Sequence, residues 1–267
     1  MIAVARRGRD RDKTLMGLQS RIFDLIQAAR VNEARACYEE LKQIAAEGRE
    51  PFFVHFTVGW AGSFAQMEGR LDEAERLAAE SAVMRRRMET RDAESVFAAQ
   101  LFMIRIAQGR LHELVDAVEH FIEEYPVLAV WRSGLPLVYI SAGREDDASR
   151  ELERMVGQID EIPRDFFWLA AMWALGEASA KLRHPEASAV LYDTLKPYAR
   201  CIVQVGYAGC LGPVARVLGL LAATRGDRET AVAHLEAARA MAAASGLRLF
   251  EEQARAELEQ LATPYGY

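Results

Sequence analysis

Apolar side chains recur along this chain in six similar sets, anchored at Ala34, Ala74, Leu114, Ala148, Ala187 and Ala231. Behind the anchors they return four and seven residues on, as at Tyr38 and Leu41, Val118 and Phe121, Leu152 and Met155, and Leu235 and Ala238. That spacing is one face of an amphipathic helix. Ahead of each anchor lies another apolar segment of about 17 residues, the first helix of a pair. First helices are expected near 14–29, 51–68, 92–108, 127–142, 164–182 and 207–225, and second helices near 32–47, 71–88, 111–124, 145–158, 185–196 and 228–244. A last amphipathic segment, 248–262, caps the series. About thirteen helices and no convincing strand result, with Pro197 to Gly212 the longest stretch outside the repeat.

A short phrase carries each anchor: ARVNEAR from Ala29, GRLDEAE from Gly69, GRLHELV from Gly109, GREDDAS from Gly143, LRHPEAS from Leu182 and GDRETAV from Gly226. The anchors stand 40, 40, 34, 39 and 44 residues apart, a period that means stacked helical hairpins. Physically each phrase is a turn, with Gly closing one helix in a left-handed conformation and acidic residues opening the next against its positive end. Asp72-Glu73 and Glu145-Asp146-Asp147 are the clearest openings, and Arg85-Arg86-Arg87 reads as the solvated end of such a helix. Pro51, Pro126, Pro163 and Pro213 fall at or near starts of first helices, where a missing N–H costs least.

These features resemble the tetratricopeptide repeat, most clearly in LGLLAATRGDRETAVAHLEAARAMA from Leu218, where Gly219, Gly226, Ala231, Leu235 and Ala238 follow the family's intervals. Gly62, Gly69, Ala74 and Ala78 repeat the relation, whereas Phe102 and Pro136 replace the first Gly, Leu182 the second, and Leu114 the central Ala. The resemblance implies an all-α, right-handed superhelical solenoid of about six helix pairs plus the C-terminal cap. It also implies one repeat domain over 14–262 between tails at 1–13 and 263–267. Residues 188–262 are similar to the C-terminal helical region of bacterial LuxR-type ATPase regulators and of adenylate-cyclase proteins with a central ATPase module. In those proteins the repeats form a sensor or docking arm; this sequence contains no GxxxxGK[ST] phosphate loop.

Composition narrows the class. The 267 residues are 51% hydrophobic and 27% charged, enough to bury a core, and the net charge of −6 is interspersed along the helices. No nucleic-acid footprint follows from that balance; the basic run Arg6, Arg7, Arg9, Arg11 and Lys13 reads as part of a tail. Cys37, Cys201 and Cys210 have no CxxC spacing and fit reduced thiols of a cytoplasmic protein. No stretch has the ~18 consecutive apolar residues of a membrane span.

Candidate chemistry is sparse. His112, Asp116 and His120 stack along one helix face at metal-like spacing, but their register places them on the solvated side. Gly206, Gly209 and Gly212 in VGYAGCLGP follow no expected strand and have no lysine, so a loop entering a helix outweighs a phosphate cradle. Cys201 and Cys210 read as structural thiols. No cofactor and no metal site is expected.

The aromatics concentrate on first helices, which line the concave face in the tetratricopeptide arrangement. The family's groove register places Phe56, Ser63 and Gln66, then Met103, Ser133, Leu137, Met172, Arg216 and Leu220, in the concavity, with Trp60, Trp131 and Trp173 on the same helices. Such a mainly apolar groove fits a protein segment, a peptide or a small apolar effector. A non-enzymatic recognition module in signalling or transcription control is therefore the leading expectation, with no direct nucleic-acid or membrane contact. The alternative is an enzyme whose pocket uses Arg216, Arg132, His55 or Tyr207. A third reading is a homodimer formed through an uncapped end.

Overall fold

The computed structural model describes residues 10–48, 51–89, 93–126 and 129–263. Its thirteen α-helices are α1 (Arg11–Gln27), α2 (Val31–Gly48), α3 (Pro51–Met67), α4 (Leu71–Arg87), α5 (Ala93–Gln108), α6 (Val115–Glu124), α7 (Ala129–Ser141), α8 (Glu145–Gly157), α9 (Trp168–Lys181), α10 (Pro185–Leu195), α11 (Val214–Thr224), α12 (Arg228–Ser245) and α13 (Arg248–Ala262). The protein is all-α apart from a two-stranded sheet, β1 (Ile202–Val205) and β2 (Gly209–Pro213). Among the described residues no helix is long and apolar enough to cross a membrane.

The repeated phrase builds the turns. Gly69, Gly109, Gly143 and Gly226 have φ of 80°, 68°, 73° and 80°, the left-handed conformation that glycine enters without steric cost. The next residue's N–H then reaches back into the closing helix, as from Arg70 to the Ala65 carbonyl at 2.9 Å, satisfying a carbonyl the helix leaves open. Ala29 and Arg183 hold the same conformation with a side chain, at φ 58° and 53°. In the fifth phrase the left-handed residue is thus Arg183, one place after Leu182. His184 follows as the cap, its Nδ1 accepting from the Ala187 N–H at 3.2 Å. Five anchors, Ala34, Ala74, Ala148, Ala187 and Ala231, are fully enclosed between helices. Leu114 departs from them: it ends a 3-10 turn (Leu111–Leu114) and stays half-buried.

Three expectations give way. The helix α1 begins at Arg11, where Asp10 accepts from the Lys13 N–H at 3.0 Å, so residues 11–13 are helix; residues 1–9 and 264–267 lie outside the described residues. The last first-helix starts at Val214, and the segment before it forms strands. Ile202, Val203 and Val205 are β-branched, suited to a pleated, enclosed surface. Gly206 (φ 51°) and the Ala208 N–H to Val205 carbonyl bond (2.9 Å) close the hairpin.

The chain forms two compact units. Unit 1 holds the described residues up to Ile104 together with Gln204–Cys210. In it α1 packs on α2, α2 on α3 and α3 on α4. Leu15, Leu18, Ile22, Ile26, Leu41 and Trp60 are almost wholly buried, and Ala65, Ala74, Leu77, Ala78 and Ile104 form a further cluster. Unit 2 comprises Arg105–Val203 and the residues from Leu211 on. There the first helices α7, α9 and α11 pack successively on one another, with α8 against α7, α10 against α9 and α11, and α12 between α11 and α13.

Candidate functional site

Four positions on α3 carry the site. Phe56, Gly59, Ser63 and Gln66 are spaced by three, four and three residues, so they share one helix face. Against that face, within unit 1, lies the tip of the hairpin, residues 204–210. The Gln66 carboxamide treats Cys210 as a neighbouring strand would: Nε2 donates to the Cys210 carbonyl at 2.8 Å, and Oε1 accepts from its N–H at 3.0 Å. The Ser63 hydroxyl accepts from Gln204 Nε2 at 3.0 Å.

Tyr207 fills the next stretch of the face. Its ring meets Phe56 edge-on, centroids 5.2 Å apart at 84°, and a Cβ at Gly59 would stand 2.4 Å from Tyr207 Cδ2. Only glycine leaves room there for the ring. Its hydroxyl accepts from Arg85 of α4 at 2.5 Å. The same Nη1 lies 2.9 Å from His55 Nε2; a guanidinium can only donate, so that ring nitrogen carries no proton. From α5, Met103 sits beneath Gly209, where a Cβ would come within 2.8 Å of Met103 Cγ. The hairpin tip is therefore gripped by side-chain amides, a phenol seat and two close glycine contacts.

Ten of the twelve residues expected to face an open groove are buried. In unit 1 the reason is the hairpin tip: it covers Ser63, Gln66 and Met103 and leaves Phe56 half-buried, while Trp60 turns inward to donate to Gln19 Oε1 at 2.6 Å. In unit 2 the reason is packing between helices. Trp131 stacks on Phe121 at 5.0 Å and 16°, Ser133 donates to the Ala129 carbonyl at 2.9 Å, and Leu137, Met172 and Trp173 are core. Leu220 is half-buried.

Arg216 is enclosed as well. It pairs with Glu177 and, at 2.5 Å, with Glu257, joining one buried and one half-buried carboxylate through a buried guanidinium. Burial pushes the Glu257 carboxyl up, with Arg216 pulling against it; burial also opposes the Arg216 charge, yet the two carboxylates outweigh it and hold the guanidinium above its usual range. Among the enzyme candidates, His55 and Tyr207 thus meet at Arg85 in unit 1. Arg132 and Arg216 belong to unit 2, where Arg132 is exposed beside Glu151.

The basic triplet is also corrected. Arg86 and Arg87 are solvated, but Arg85 is 4% exposed. Its position was legible, because Ala74, Leu77, Ala78, Ser81 and Arg85 make one continuous buried stripe of α4. Glu257 gives the same signal, lying between Phe250, Ala254 and Leu261 on α13. His112, Asp116 and His120 are all exposed, and no group of three His, Cys, Asp or Glu among the described residues is placed to hold a metal ion. Cys210 is buried and Cys37 and Cys201 are partly so; burial raises the Cys201 thiol. The chain matches no protein-family model and no curated protein.

Proposed function

We propose that this chain is a non-enzymatic recognition module whose first helices hold an extended polypeptide segment, serving a cytoplasmic signalling or transcription-control assembly. One observation carries the reading: Gln66, on the expected ligand-facing register of α3, engages both main-chain groups of Cys210. A side-chain amide that pairs with a peptide group recognises backbone irrespective of sequence, as strand addition does. The neighbouring Phe56, Gly59 and Arg85 supply the side-chain selectivity.

A display library of random dodecapeptides selected on the full chain tests this. Enriched peptides are expected to lose binding to Gln66→Ala while the variant keeps its helical circular dichroism. Enrichment of no peptide, or peptides that bind Gln66→Ala as well as the wild type, would overturn the reading.

A further inference from the structure

The α3 face does not end where the hairpin tip ends. Phe52 stands four residues before Phe56 and so continues the same face, yet it is 45% exposed. Its ring meets Phe53, His55 and Phe56 at centroid distances of 5.2, 5.6 and 5.3 Å. An exposed aromatic thus adjoins a seat that is otherwise closed.

The occupant fits imperfectly at one point. Gln204 is 1% exposed, and while its Nε2 donates to Ser63 Oγ and to the Gly206 carbonyl, its Oε1 has no hydrogen-bond partner among the described residues. A buried carbonyl oxygen left so works against the contact that buries it. The hairpin itself has two strands of four and five residues, and such a hairpin has little stability of its own in water. The tip therefore depends on the seat on α3–α5 and on the burial of its strands as well as on its own pairing.

Resting on the proposed recognition of extended segments, we infer that residues 204–210 are a built-in occupant of the site. Its external ligand is an extended peptide of the pattern Tyr-x-Gly with a further apolar side chain beside the tyrosine, which displaces the tip. The tyrosine is set by Gly59, Phe56 and Arg85, the glycine by Met103, the main chain of the following residue by Gln66, and the apolar neighbour by Phe52. The tip supplies every one of these except the last, so an external segment covering Phe52 gains what the tip cannot.

The test uses the full chain and two fluorescent peptides, a heptapeptide copying 204–210 with Ser for its Cys, and the same peptide with Leu in place of the glycine before its tyrosine. Gly209→Val, which lies on the tip and not in the seat, is expected to expel the tip and bind the heptapeptide at least tenfold more tightly than the wild type does. The Leu-substituted peptide is expected to bind more tightly still, and Phe52→Ala, at an exposed position, should cancel that gain alone. In the unsubstituted chain, saturating peptide should speed amide exchange in 204–210, a readout that needs no variant. Failure of both peptides to bind the wild type and a still-helical Gly209→Val would overturn the inference, as would a Gly209→Val chain that dimerises by exchanging hairpins. Library peptides that depend on Gln66 but lack Tyr-x-Gly would sink this inference and leave the recognition reading standing.

Discussion

Two side chains set the local energetics most sharply. Gln66 contributes two buried hydrogen bonds to Cys210, each worth roughly 0.5–1.5 kcal/mol net. Gln66→Ala is expected to lower stability by about 1–3 kcal/mol in urea unfolding, and Gln66→Glu to lose the donor while keeping the acceptor. Glu257 acts through pH. Because burial raises its carboxyl in the folded chain, the folded state keeps a proton that the unfolded state has already released. Stability from this group is therefore greatest below the unfolded carboxyl's ordinary value and falls as pH rises through the folded one. Urea midpoints taken between about pH 4 and 7 should show the wild type gaining on Glu257→Gln as the pH falls; a constant gap would contradict the assignment. Arg216→Met leaves the buried Glu177 carboxylate and the half-buried Glu257 without their shared cation and should cost about 3–5 kcal/mol near neutral pH.

Among the elements, the turns are where sequence and structure agree best. Helix bounds follow the apolar period because each helix must bury one stripe, and the left-handed residue follows the phrase because few side chains tolerate that conformation. Arg183 pays the steric cost that Gly226 avoids. Arg183→Gly is expected to raise stability by about 1 kcal/mol and Gly226→Ala to lower it by a similar amount, read as opposite shifts of the unfolding midpoint. Leu114 shows the limit of the pattern: a larger side chain at the anchor accompanies a 3-10 turn in place of the first turn of α6. The hairpin escaped the periodic reading because its strands are enclosed on both faces, leaving no alternation to read.

For the molecule as a whole, unit 1 is not a contiguous piece of chain. It takes in residues 204–210 from a hundred positions beyond Ile104, and the Gln66–Cys210 bonds span 144 residues. Gly209→Val should therefore change near-ultraviolet dichroism from Tyr207 strongly and far-ultraviolet helical dichroism little, since the tip holds no helix; a parallel loss of both would mean that the tip is part of the folding core. The candidate site was legible only in part. Phe56, Ser63, Gln66 and Met103 were marked by register, and His55 and Tyr207 by chemistry, but nothing in the sequence joined them.

The sequence by itself determined the all-α class, the order of the thirteen helices among the described residues, the turns between them and the buried anchors, because these depend on contacts within a few turns of helix. Tertiary structure alone decided that the Gly-rich segment pairs into strands and that its tip lies on α3. It also decided that Arg85 faces Tyr207 and that Arg216 meets two carboxylates. Those outcomes depend on residues far apart in the chain, and periodicity carries no information about which distant surface will be nearest.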